Sequence, residues 1–333
     1  MQNEKTTAPA PHHIAIIHTG AIGDLVQAGP LLAAVRAKWP EARVTLVGLP
    51  ERGRLLEMAN LVDATVDAET CGLWRLAGDA GTSGPLPRAL VEADLMLDLL
   101  GLTAQGVAAL RGRVVRLEPL PSADWRSSAA EWLLGQAREA LELAAAAPEP
   151  VLAVPGAVRE AARKALAAKE IRRAFAAIHP GSGSVRKNWA MERFGEIARQ
   201  LREEAGRQVV WLLGPAEMER GIKLPGEEGE VILEGATLDL VAGVLSLADA
   251  YVGNDSGATQ LAAAVRGADG RATPTIALFG PTDARVWGPR GSHVRIVRAP
   301  NGTMESIEAE TVWAAVRAAL DEAAPREKLK PRD

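Results

Sequence analysis

Short runs of β-branched and aliphatic residues recur along this chain, and each is followed by a longer stretch rich in Ala and Leu. That alternation constrains the fold most. A strand that must return to lie parallel to its predecessor needs a long crossover, and a helix supplies it, so the pattern predicts parallel sheets covered by helices. His13 to Thr19 reads as the first strand, followed by a Gly-rich turn and a helix from about Asp24 to Trp39 that Pro40 closes. Arg43 to Leu49, Ala64 to Asp67, Leu95 to Leu99 and Val114 to Leu117 read as further strands, and 127–147 reads as a helix.

Pro148, Pro150 and Pro155 then interrupt the pattern, and this cluster reads as a linker. A second alternating series follows. After a helix over Val158 to Lys169 come strands at Ala174 to His179, Gln208 to Leu213, Glu230 to Leu233, Ala250 to Gly253, Thr275 to Phe279 and Val294 to Val297. A chain of 333 residues also exceeds what one hydrophobic core usually serves. The expected organisation is an N-terminal Rossmann-like domain over 1–152 and a C-terminal one over 153–333. Ligands of open α/β sheets lie beyond the carboxyl ends of the strands, so the two sheets are expected to face a common cleft.

Composition narrows the classes. Hydrophobic residues make up 47% and charged residues 24%, as in globular proteins, and a net charge of -4 argues against a nucleic-acid partner. The single cysteine, Cys71, has no partner for an internal disulfide and is expected to be a buried structural thiol. Met1 to His13 is polar and proline-containing and reads as a short leader, not a signal peptide. No stretch is long and apolar enough to span a bilayer. The expected location is the cytoplasm, with any lipid substrate met at the inner membrane surface.

Four segments at predicted strand ends carry candidate chemistry. His18-Thr19-Gly20-Ala21-Ile22-Gly23-Asp24 joins the first strand to its helix. Gly20 and Gly23 permit a tight turn with close backbone approach, and Asp24 reads either as a general base or as an ordinary helix cap. A dinucleotide-binding reading fits poorly, because a third glycine is missing and Asp24 would repel a pyrophosphate. The second segment, His179-Pro180-Gly181-Ser182-Gly183-Ser184, is followed by Arg186, Lys187, Asn188 and Trp189. Its backbone N–H groups, hydroxyls and cations suit a phosphate, although it lacks the Gly-Lys-Ser/Thr ending of a Walker A loop. The third, Gly253-Asn254-Asp255-Ser256-Gly257, precedes a helix read over Ala258 to Arg266 and is a helix cap or an anion site or both. The fourth, Phe279-Gly280-Pro281-Thr282-Asp283, is expected beside the third. Glu217 and Glu219 are candidate ribose acceptors, at least one of them belonging to a solvated face.

In this order the segments resemble glycosyltransferase family 9, the heptosyltransferases of lipopolysaccharide core assembly. The resemblance runs from about His13 to Arg298. It rests on GAIGDLVQAGPLLAAVRAKWPEARVTLV, IHPGSGSVRKNWAMERFGEIARQL, VGNDSGATQLAAAV and PTIALFGPTDARVWGPRG. It implies an α/β GT-B fold and metal-independent, inverting transfer from a nucleotide sugar, typically ADP-heptose, with no cofactor. The acceptor it implies is a glycolipid or other surface glycan. Carried over by position, Asp24 corresponds to the catalytic base, and the turn of Gly20 and Gly23 before it is then expected on the acceptor side. Lys187, Ser182, Ser184, Ser256 and Gly257 correspond to the donor-diphosphate site and Asp255 to the donor-sugar ligand, while Glu217 is a ribose candidate from its place after the strand ending at Leu213. With base and donor groups on different domains, domain closure would assemble the site.

Two departures bear on the acceptor and the site. Gln260 stands where family members often carry histidine. Ala104 and Gln105 replace a lysine-serine pair in the region that faces the acceptor, which argues against a heavily anionic one. The loop Gly267 to Arg271 is longer than usual. Two other readings remain: a nucleotide-sugar-binding paralogue without turnover, and, less favoured, an NAD-dependent oxidoreductase.

Overall fold

A computed structural model describes residues 9–78, 85–144, 149–222, 224 and 230–323. The chain forms two compact units. One comprises Met1–Thr19, Leu31–Leu120 and Leu133–Ala146; the other comprises Gly20–Pro30, Pro121–Trp132 and Ala147–Asp333. The first eight residues of the expected leader and Pro148 of the expected linker lie outside the described residues.

In chain order, β1 (His13–Ile17) leads to α1 (Ile22–Gln27) and α2 (Gly29–Lys38), β2 (Arg43–Gly48) to α3 (Pro50–Met58), and β3 (Ala64–Asp67) to α4 (Trp74–Ala77) and α5 (Arg88–Val91). Then β4 (Leu95–Asp98) leads to α6 (Ala104–Ala108) and β5 (Arg113–Arg116) to α7 (Ala129–Leu141). The five strands form one parallel sheet in the order β3-β2-β1-β4-β5, with His13 beside Arg43 and Ile17 beside Asp98. Alternate residues of these strands meet side chains of the connecting segments on one face, where Ala15, Ile17, Val47 and Met96 pack with Leu73, Leu76, Leu90 and Leu102. Cys71 packs at the margin of this cluster and is half-buried, not fully buried as expected; partial burial pushes its thiol pKa up.

The second series begins with β6 (Leu152–Ala153), α8 (Gly156–Ala168) and β7 (Phe175–His179), followed by α9 (Met191–Glu203), β8 (Gln208–Leu213) and α10 (Pro215–Glu219). It continues through β9 (Glu230–Glu234), α11 (Leu238–Leu247), β10 (Ala250–Asn254), α12 (Gly257–Ala264) and β11 (Val265–Arg266). It ends with β12 (Thr275–Phe279), α13 (Ala284–Trp287), β13 (Val294–Arg298) and α14 (Ala309–Glu322). Six strands form a parallel sheet in the order β13-β12-β10-β7-β8-β9. Its core joins Ile178, Val209, Trp211, Val252, Ile276 and Leu278 to Trp189, Phe194, Ile197 and Leu201 of the α9 side and Val312, Trp313 and Val316 of α14. Strand apolarity is nearly continuous in β7 and β10, as expected for strands covered on both faces.

Two details differ from the sequence expectations. The first helix is two: α1 stops at Gln27 and α2 restarts at Gly29, because Pro30 has no N–H to continue the ladder. The helix expected over Ala258 to Arg266 stops at Ala264. Val265 and Arg266 instead pair in parallel with Leu152 and Ala153, so the proline-bounded linker carries a strand of its own. The long loop after it is a turn, closed by Gly267 N–H to Arg271 O at 2.9 Å with Gly270 at a φ of +74°.

Candidate functional site

In the six-stranded sheet the connections from β7 run toward β8 and β9, and those from β10 toward β12 and β13. The strand order therefore reverses between β7 and β10, where an open α/β sheet presents a ligand crevice at its carboxyl edge. The two strands end in register, Gly253 beside His179, so the loops that follow them start side by side. The second and third candidate segments meet here as a consequence of topology.

Asn254 fastens the two loops together. It is fully buried, donates from Nδ2 to the Pro180 carbonyl at 2.7 Å and accepts the Trp189 N–H on Oδ1 at 3.1 Å. Trp189 is buried, edge-on to Phe194 with centroids 5.1 Å apart, and its indole donates to Ile307 O at 3.0 Å, so it supports the loop from within the core. Between these anchors the chain makes a one-turn 3-10 helix over Val185–Lys187. Lys187 Nζ lies 2.7 Å from Asp255 Oδ2, an ion pair by distance that brings the candidate diphosphate cation against the candidate sugar ligand. The Lys187 side chain keeps 33% exposure while that of Asp255 keeps 10%, so the cation retains an open side. Ser182 is buried, with its hydroxyl 2.7 Å from Ser184 O and 2.6 Å from Asn188 Oδ1; its single proton serves one acceptor at a time. Ser184 is half-buried and Gly183 exposed, and a Cβ at 183 would meet nothing within 4 Å.

Ser256 is the N-cap of α12 and accepts the Thr259 N–H at 3.3 Å, which leaves Gly257 as the first helical residue. Thr259 Oγ1 also sits 3.0 Å from the Tyr251 hydroxyl and donates to Asn254 O. Tyr251 is fully buried, its phenol pKa pushed up by that burial, and its ring packs across Gly253, where a Cβ would fall 2.3 Å from the phenolic oxygen.

Glu217 and Glu219 separate cleanly. Glu219 is exposed. Glu217 is buried, with Oε2 accepting the Gly214 N–H at 2.9 Å to close the start of α10. It packs on the β7 loop so closely that a Cβ at Gly181 would lie 1.9 Å from Oε1. His179 is buried with Nδ1 donating to Leu212 O at 2.8 Å; burial holds its pKa below the ordinary value, and the nearby Glu217 opposes that shift. Arg220 donates to Ser182 O at 3.1 Å from the opposite end of α10. The fourth segment does lie beside the third: Asp255 N–H donates to Leu278 O at 2.9 Å. Asp283 caps α13 and pairs with Arg285, which pulls the Asp283 carboxyl down to about 2.

Asp24 stands at the third position of α1, not at its cap. Its Oδ2 accepts the Ala21 N–H at 3.0 Å, so it stabilises the helix start by reaching backward. Gly20–Pro30 belongs to the same compact unit as Lys187 and Asp255. The physical reason is close backbone packing: a Cβ at Gly257 would meet Ile22 Cβ at 3.0 Å and Gly23 N at 3.2 Å. Gly23 in turn lies against Gln260, whose Cγ would be 3.5 Å from a Cβ there. The expected separation of base and donor groups onto different domains is therefore not how the compact units divide. Sequence reasoning overlooked Asn254, Arg220 and Gln27 as supporting groups; a polar residue closing the otherwise apolar strand Ala250–Asn254 was the available signal.

Residues 124–316, more than half of the chain, match the family described as glycosyltransferase family 9 (heptosyltransferase). The chain belongs to that family. It is accordingly an enzyme of the glycosyltransferase class, consistent with a nucleotide-sugar donor and a glycan acceptor. The match begins after Asp24, so that residue's role is not contained in it. Among solved structures, E. coli heptosyltransferase WaaC with ADP is 21% identical over 92% of this chain and 99% of its own, with a TM-score of 0.70. E. coli ADP-heptose lps heptosyltransferase II is 19% identical over 93% of this chain and 100% of its own, with a TM-score of 0.72. A glycosyl transferase family 9 structure from Veillonella parvula DSM 2008 is 17% identical over 94% and 98%, also at 0.72. At these identities the likeness establishes the fold, and the α/β GT-B class expected from the sequence is the one found. No curated protein sequence matches the chain. Among the described residues, no helix is long and apolar enough to cross a membrane.

Proposed function

We propose that the chain transfers a heptose or closely related sugar from an ADP-activated donor to a lipopolysaccharide-core or other surface-glycan acceptor, inverting the anomeric carbon without a metal or other cofactor. The observation that carries this reading is the Lys187–Asp255 pair at the strand-order reversal, in the same compact unit as the helix of Asp24. In the reaction the acceptor oxygen attacks the anomeric carbon as the bond from that carbon to the diphosphate breaks. Asp24 takes the acceptor proton, and ADP departs carrying the bond's electron pair. Charge grows on the departing phosphate. Lys187, the N–H groups of 182–184 and the start of α12 at Ser256 and Gly257 are the fixed donors that stabilise it. As Lys187 turns toward the diphosphate, Asp255 is released to accept hydroxyls of the donor sugar. Glu217, already beside the β7 loop, serves as the ribose acceptor, and Gly20 and Gly23 hold the acceptor-side turn.

A second reading concerns the acceptor. The loop after β4 is shaped by Asp98, fully buried, which accepts N–H groups of Leu100, Gly101 and Leu102 at 3.0, 2.9 and 2.8 Å and pairs with Arg116. Ala104 and Gln105 follow, and residues 99–110 carry no charge. This favours an acceptor less anionic than a phosphorylated lipopolysaccharide core, met at the inner face of the cytoplasmic membrane.

Calorimetric titration with ADP-heptose, ADP, UDP and NAD tests the donor assignment. Selective binding of ADP and ADP-heptose, weakened about 10- to 100-fold by Lys187→Ala through loss of a charge-assisted contact, is expected. Tighter binding of UDP or NAD would overturn the donor, and unchanged affinity in Lys187→Ala would remove Lys187 from the site.

A further inference from the structure

We propose that Gln260 is the positioning residue for Asp24: its buried carboxamide locks α1 to α12 and so sets where the Asp24 carboxylate stands. The inference rests on the reading of Asp24 as the base. With six residues, α1 is far shorter than a helix that holds itself together in water, so its place is fixed by what it packs against. At its start, Ile22 and Gly23 close on Gly257. At its end, Gln27 is buried, and its Nε2 donates to Gln260 Oε1 at 3.0 Å. Gln260 is buried too, and its Nε2 donates to the Trp287 carbonyl at 2.6 Å. That backbone carbonyl can only accept, so it dictates which way the Gln260 amide faces: nitrogen toward Trp287, oxygen toward Gln27. Among the described residues the buried Oε1 of Gln27 has no hydrogen-bond partner, so the Gln27 head group depends on Gln260. One amide therefore joins the last residue of α1 to the last residue of α13 through the middle of α12. Asp24 lies on α1 between the Gly257 contact and this bond.

The donor and acceptor that Gln260 supplies are also the complement of a neutral imidazole, whereas leucine fills a similar volume and supplies neither. Full-length protein with ADP-heptose as probe, water standing in for the acceptor, gives the rate of ADP release. Hydrogen exchange of the Gly20–Pro30 segment gives the position of α1 without any turnover. In Gln260→Leu, kcat is expected to fall about 10- to 100-fold, as displacements of catalytic groups by about 1 Å do. KM should stay within about twofold and exchange in Gly20–Pro30 should quicken about tenfold, because the donor site is left in place while α1 loses its anchor. Gln260→His is expected to restore both. Wild-type exchange and kcat in Gln260→Leu would overturn the proposal, as would a loss expressed in KM and not recovered by histidine. Asp24→Asn separates the two ideas. If it hydrolyses like wild type, the base reading falls and the positioning role with it; if it is inactive while Gln260→Leu is normal, only the positioning role falls.

Discussion

Asp24 accepts the Ala21 N–H on Oδ2, and among the described residues no hydrogen bond reaches its other oxygen, which is the arrangement a base needs to meet an incoming hydroxyl. Asparagine can keep the backward bond through its amide oxygen but cannot take a proton. Asp24→Asn should slow transfer by about 10²–10⁴-fold, the usual worth of a general base, and leave ADP affinity within about twofold in calorimetry. An active mutant would return Asp24 to the reading of a helix-start residue and nothing more. His179 makes a prediction about pH. Its Nδ1–H faces a carbonyl in a buried site, and burial lowers its pKa from the ordinary 6.5, so the folded chain keeps it neutral while the unfolded chain protonates it. The unfolded state thus binds more protons below about pH 6.5, and stability falls as pH drops through that window toward the lowered folded value. His293 is shifted the same way by burial and adds to the slope. Thermal midpoints measured from pH 7.5 to 5.5 should decline, and less steeply in His179→Asn, whose amide can still donate to Leu212 O. Equal slopes would mean that His179 is not held neutral.

At the scale of elements, Gly257 decides whether α1 and α12 can touch. A methyl there would stand 3.0 Å from Ile22 Cβ and 3.2 Å from Gly23 N, closer than ordinary packing, so α1 must move by a few tenths of an ångström. Gly257→Ala is expected to cost about 1–3 kcal/mol as overpacking and, with Asp24 as the proposed base, to lower transfer more than ADP affinity, because the shift falls on the helix of Asp24. A variant losing ADP binding and transfer in equal measure would place the strain at the phosphates instead. These elements also show what could be read in advance. The parallel sheets, the strand ends and the four loop segments were legible because strands covered on both faces declare themselves as apolar runs, and small residues mark the turns after them. The site's internal fastening was not. Ser182 looked like a free hydroxyl, yet it is spent between Ser184 O and Asn188. Gln27 and Gln260 are 233 residues apart in the chain, and no local pattern pairs them. The Val265–Arg266 strand was hidden because two residues give no period, only a partner at Leu152–Ala153 that tertiary structure supplies.

For the whole molecule, the division into two compact units has a thermodynamic consequence. Each unit has its own parallel sheet, so heat need not unfold them together, and a ligand stabilises only the unit that binds it. Lys187, Asp255 and Glu217 fall in the unit that also contains Gly20–Pro30. At a hundred times its dissociation constant, ADP should add about 2.7 kcal/mol to that unit. For a unit of this size the gain raises the midpoint by about 5–10 °C. Calorimetry with and without ADP should therefore move one transition and leave any other in place. Hydrogen exchange adds the sharper observation, because the chain leaves the first unit at Thr19 and rejoins it at Leu31. ADP should slow exchange in Gly20–Pro30 together with α12, while the strand His13–Ile17, only a few residues earlier, keeps its own rate. Protection that instead follows the strand would assign the Asp24 helix to the first unit. Catalysis would then depend on bringing the two units together, not on a base already carried beside the donor.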